Sequence, residues 1–124
     1  MSQHDRESVT ESFTAAALLA VLWANLVDMM GTAAAASVLR RSVKRACLRL
    51  PELEELKIVR DGWEYSCVTP RSWERAHPSD IPAFAEMLHN DLYPILRELT
   101  GPIVLRRLQR VPELADIGLD APEE

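Results

Sequence analysis

LKIVRDGWEYSCVT, residues 56–69, alternates apolar and polar side chains on both sides of an Asp61-Gly62 pair. Alternation at period two gives a strand one apolar face, and Asp-Gly is a preferred centre for a two-residue type I′ turn. The stretch predicts a β-hairpin. A turn at Asp61-Gly62 pairs Arg60 with Trp63, Ile58 with Tyr65 and Leu56 with Cys67 on one face, and leaves Lys57, Val59, Glu64 and Ser66 on the other. In that register Arg60 faces Trp63 as a cation–π pair. A lone two-stranded ribbon is marginal in water, so this one is expected to lie on helices or to continue into the hairpin of a second copy.

Upstream, the pattern is helical. Ser8-Val9-Thr10-Glu11 has capping-box spacing, and the helix expected to start there is apolar nearly all round through Met30, so protein must cover most of it. Ala16, Ala20 and Ala24, continued by Gly31 and Ala35, form a stripe of small side chains along which a partner backbone can come close. Gly31-Thr32 is expected to break or kink the rod. Beyond it, Leu39, Val43, Ala46, Cys47 and Leu50 share one face while Arg40, Arg41, Lys44, Arg45 and Arg49 fan across the other, until Pro51 stops the helix. Cations there suit the negative end of the helix dipole, and Glu52, Glu54 and Glu55 follow as acids able to neutralise them.

From Phe13 to Leu39 the only charge is Asp28, so a membrane span must be weighed. Asn25 and Asp28 near the middle of the run are costly in hydrocarbon, and alanine transfers into it weakly. A protein-covered helix is the expectation, with Asp28 paired to an arginine or hydrogen-bonded across a helix interface.

Downstream, PRSWERAHPSDIP, residues 70–82, carries three prolines and reads as a loop, with Trp73 folded back on the core and Ser79 or Asp80 capping the next helix. Ile81, Phe84, Ala85, Leu88, Leu92, Ile95, Leu96 and Leu99 mark the inner face of that helix, which Pro94 kinks or restarts. Thr100-Gly101-Pro102 breaks the chain again before a short final helix. The expected fold class is α+β and mostly helical: N-terminal helical segments, one β-hairpin and kinked C-terminal helices. Residues 1–7 are expected to be disordered, 8–112 to form a single domain, and 113–124 to be a fraying acidic tail.

A chain of 124 residues fits one domain, and a net charge of -5 with pI near 5.2 argues against nucleic acid or an anionic membrane as partner. Cys47 and Cys67 are too few for a disulfide scaffold, and the first residues lack the basic start of a secretory signal, so a cytoplasmic protein is expected. No P-loop, dinucleotide fingerprint or nucleophile elbow occurs in the sequence. Cys47, Cys67, His77 and His89 are ligating types without ligating spacing, so neither metal nor cofactor is expected.

Function then rests on clusters. Arg40, Arg41, Lys44 and Arg45 with Arg106, Arg107 and Arg110 form the candidate site for a small anionic ligand or an acidic protein partner, since the guanidinium fork matches carboxylate and phosphate. A solvated face balanced by Glu52, Glu54 and Glu55 is the plainer alternative. Asp28, His89, Trp63 and Tyr65 are the candidate lining of a pocket between the first and third helices. The expected function is that of a small non-catalytic regulatory or adaptor protein acting through protein–protein contact as a homodimer. The alternative is a sensor binding a small molecule or cofactor in that pocket, and catalysis ranks third.

Overall fold

The computed structural model describes residues 14–74 and 80–115. Helix α1 (Ala15–Met30) starts where the Thr14 hydroxyl accepts the Ala17 amide at 3.0 Å, an N-cap; the capping box expected at Ser8–Glu11 lies outside the described residues. Leu18, Leu19, Leu22 and Leu26 bury one side of the helix. Asn25 is satisfied locally, its amide donating to the Val21 carbonyl at 2.8 Å. The expectation of a rod covered nearly all round is corrected, because Ala20, Ala24 and Asp28 are exposed at successive i, i+4 positions. Alanine exposes little apolar area, so four buried leucines suffice to hold the helix.

Gly31 separates α1 from α2 (Thr32–Ala46). Its φ of 87° suits glycine alone, and it donates to the Val27 carbonyl at 2.8 Å while accepting from the Ala35 amide at 3.0 Å. No helix among the described residues is long and apolar enough to cross a membrane. α2 buries Ala35, Leu39, Val43 and Ala46, and its buried Ser42 hydroxyl donates to the Val38 carbonyl. Expected to run to Leu50, it ends at Ala46. The following residues tighten into a turn, with the Arg49 and Leu50 amides both on the Ala46 carbonyl, since a residue before proline avoids the helical conformation. A 3-10 turn at Pro51–Glu55 then buries Leu53.

Strands β1 (Lys57–Asp61) and β2 (Glu64–Val68) form the hairpin. Its register pairs Ile58 with Cys67, Arg60 with Tyr65 and Asp61 with Glu64, two residues away from the expected one. The two-residue turn is Gly62-Trp63, with positive φ at Gly62 and at no non-glycine residue described. A turn needing positive φ only at its first central position takes glycine there, so Gly62 opens the turn instead of closing it. Trp63 consequently stands in the turn, 93% exposed, and not opposite Arg60. Because the shift is even, every strand residue keeps its expected face: Ile58 is buried, Tyr65 and Cys67 are half-buried, and Val59 and Ser66 are exposed.

A 3-10 turn at Arg71–Glu74 carries Trp73 into the core, edge-on to Phe84 with ring centroids 5.9 Å apart. Helix α3 (Asp80–Met87) leads into a π-helical turn at Leu88–Leu92 and on into α4 (Tyr93–Thr100). The Tyr93 amide reaches the Leu88 carbonyl, five residues back. Pro94 explains the widening, because it lacks an amide hydrogen and its ring crowds the carbonyl four residues earlier. Leu99, expected on the inner face, is 56% exposed, near the helix end that Gly101 terminates at φ 72°. α5 (Pro102–Gln109) buries Leu105 and Leu108, and the short α6 (Pro112–Ala115) buries Leu114.

Candidate functional site

The arginines of α2 and the turn after it are dealt out to different neighbours. Arg40, near the middle of the helix, donates through Nε at 3.2 Å and Nη2 at 2.9 Å to the Ile58 carbonyl of β1. Its Cζ lies 5.9 Å from the centroid of the Tyr65 ring, and that of Arg60 lies 6.0 Å away. The cation–π contact expected at Trp63 is thus made at Tyr65, as the observed register requires.

Arg49 goes the other way. Its Nη1 and Nη2 grip Asp91 at 3.2 and 2.6 Å, and its Nε donates to Glu86 at 3.0 Å. Arg45 adds a longer contact to Asp91, at 3.7 Å. Asp91 is fully buried, and a buried carboxylate needs such a bidentate partner. The hydrogen bonds to Asp91 and then to Glu86 raise the Arg49 guanidinium further above its ordinary range.

The single basic site expected from Arg40, Arg41, Lys44 and Arg45 with Arg106, Arg107 and Arg110 is therefore divided. Arg40 serves the hairpin, Arg45 serves Asp91, and Arg107 lies 3.6 Å from Asp28 on the surface. Arg41, Arg106 and Arg110 are exposed and form no ion pair among the described residues. The acids that meet Arg45 and Arg49 are Asp91 and Glu86, and Glu52, Glu54 and Glu55 form no ion pair among the described residues. Lys44 and Arg40 line a cleft of about 450 Å³ against Cys47, Leu53, Glu54 and Lys57.

The expected pocket of Asp28, His89, Trp63 and Tyr65 is corrected as well. The Asp28 side chain is 73% exposed, Trp63 tips the hairpin and Tyr65 lies under Arg40, so these do not converge. His89 lines a cleft of about 590 Å³ with Arg45, Tyr93, Pro94, Arg97, Glu98, Leu105 and Gln109. There the His89 and Tyr93 rings meet edge-on, centroids 6.2 Å apart. Burial pushes the Tyr93 hydroxyl up to about 12, so it is a donor at neutral pH.

Asp91, Arg49, Tyr93 and Arg97 are the residues that sequence reasoning missed. Asp91 had a signal, because Phe84, Leu88, Asp91 and Ile95 recur at helical spacing and put the acid on the buried seam. Tyr93 had none, since the extra residue of the π-turn is what swings it inward. Cys47 and Cys67 are free and half-buried; burial raises both thiols, Cys67 to about 11, which leaves them poor nucleophiles. No group of three metal-ligating side chains gathers among the described residues, His77 lying outside them. Comparison with protein families, with curated proteins and with solved structures finds no match for this chain.

Proposed function

We propose that this protein is a non-catalytic regulatory or adaptor module that works as a homodimer, two copies joining along β2. What carries the reading is the asymmetry of the hairpin's two edges. Asp61 and Glu64 close the turn, so Lys57, Val59 and Asp61 bond across to β2 and the carbonyl of Ile58 points outward. That outward group is occupied by Arg40. On β2 the outward groups belong to Tyr65 and Cys67, and no backbone hydrogen bond from either to another element occurs among the described residues.

An uncovered edge on a two-stranded sheet is a template for another strand. A two-fold axis at Ser66 sets Tyr65 opposite the partner's Cys67 and Glu64 opposite the partner's Val68. The only charge on β2 then never meets its like. Pairing also extends the half-buried face of Tyr65 and Cys67 across a four-stranded sheet.

Light scattering on a sizing column tests this directly, with a dimer expected at micromolar concentration. Ser66→Lys places two ammonium groups face to face on the exposed side and should give a folded monomer, whereas Ser66→Thr should stay dimeric. A monomeric parent protein, or a Ser66→Lys variant that still pairs, would overturn the proposal.

A further inference from the structure

The cleft beside the π-turn holds polar groups that the fold itself leaves unsatisfied. Tyr93 is only 5% exposed, yet its hydroxyl has no hydrogen-bond partner among the described residues, and the buried Nδ1 of His89 has none there either. Among the described residues one further side-chain atom is in this condition, Oδ2 of Asp80 at the start of α3. Two of the three thus belong to one cleft. A buried polar group without a partner is destabilising, and native proteins keep few of them.

The rim explains what would satisfy them. Arg97 forms no ion pair among the described residues, and Arg45 makes only the long 3.7 Å contact to Asp91, whose two oxygens Arg49 already holds. Two guanidiniums therefore line the same cleft as the unpartnered hydroxyl, with Glu98 as the only carboxylate in the lining among the described residues. Leu105 and Pro94 form an apolar wall, and about 590 Å³ is within the range of small-molecule sites. A bare inorganic anion would leave most of that space and the apolar wall unused.

The geometry points to a binding site for a small organic anion, its phosphate or carboxylate headgroup held by Arg45, Arg97 and the Tyr93 hydroxyl and its apolar body laid against Leu105 and Pro94. The headgroup accepts from both guanidinium forks and from the phenol. His89 Nδ1 meets a polar group on the ligand body, and Gln109 lies within the same lining. The π-turn is what makes the site, since it brings Tyr93 into the buried position that a regular helix would deny it. This site stands on groups other than those of the hairpin edge, so it holds for a monomer or a dimer.

Titration calorimetry with phenyl phosphate, benzoate, inorganic phosphate and benzyl alcohol tests it. Phenyl phosphate or benzoate should bind with a Kd below about 1 mM, inorganic phosphate at least tenfold more weakly, and neutral benzyl alcohol not measurably; the tighter of the first two names the headgroup. Tyr93→Phe should lower that affinity about five- to tenfold while raising the melting temperature of the ligand-free protein, because it deletes a buried group that lacks a partner. Opposite signs in the two readouts separate a binding residue from a structural one. Arg97→Gln should weaken binding about tenfold and flatten its salt dependence. Failure of both organic anions to bind, equal binding of benzyl alcohol, or a Tyr93→Phe variant with unchanged affinity or a lowered melting temperature would each overturn the assignment.

Discussion

The hairpin and the π-turn are fastened by arginines of α2 and of the turn that follows it, and the two attachments differ in kind. At the hairpin, Arg40 lies over an otherwise exposed strand edge and bonds a neutral carbonyl; β1 contributes only Ile58 to the buried core. At the π-turn, Arg49 compensates Asp91, a carboxylate with no solvent contact. The first contact replaces water that the carbonyl would otherwise bind. The second has no such substitute, because an unpaired buried charge is far costlier than a rewetted carbonyl. A guanidinium's importance is thus set by what it touches.

Arg49→Met is the largest expected break in this comparison. It leaves the Asp91 carboxylate buried with only the distant Arg45, a loss read as a lowered midpoint in urea denaturation. The next effect is alkaline. The folded protein holds the Tyr93 proton to about pH 12 and the Cys67 proton to about pH 11, above their ordinary 10 and 9. Above pH 9 the unfolded chain therefore binds fewer protons than the folded one. The stability linked to these groups is complete below pH 9 and falls as pH rises toward 12. Urea midpoints across that range should show the loss, with Cys67→Ser removing its lower part and Tyr93→Phe its upper part. The smallest is Arg40→Met, about 1 kcal/mol. Its mark is local: faster hydrogen exchange at the amides of β1 and β2, with α1 protection unchanged. Equal losses from Arg40→Met and Arg49→Met would erase the contrast between the two attachments.

Much of the architecture is legible in short-range pattern. Leucines at helical spacing mark the buried side of α1, Gly31 marks its end, and alternation between Leu56 and Thr69 marks two strands. The place of the turn is not legible, because Asp-Gly and Gly-Trp are both acceptable centres, differing only in whether the second residue must take positive φ. The arginine cluster looked single because residues adjacent in sequence project around a helix through 100° steps, toward β1, Asp91 and solvent in turn. The cleft was hidden for another reason. His89 and Tyr93 come together with Arg97 and Gln109 through a widened turn and a second helix, and no local spacing encodes that meeting.

Composition and periodicity by themselves determined a mostly helical chain with one hairpin, broken at Gly31 and Gly101, with the leucine faces turned inward. Those are local preferences, set by the backbone freedom of glycine and by the repeat at which apolar side chains can share a face. Tertiary packing alone decided that Arg49 answers the buried Asp91, and that Tyr93 closes a cleft with a hydroxyl that has no partner among the described residues. The physical reason is that charge pairing and cavity shape depend on distances between helices brought together through space, and those distances exist only once the core has formed.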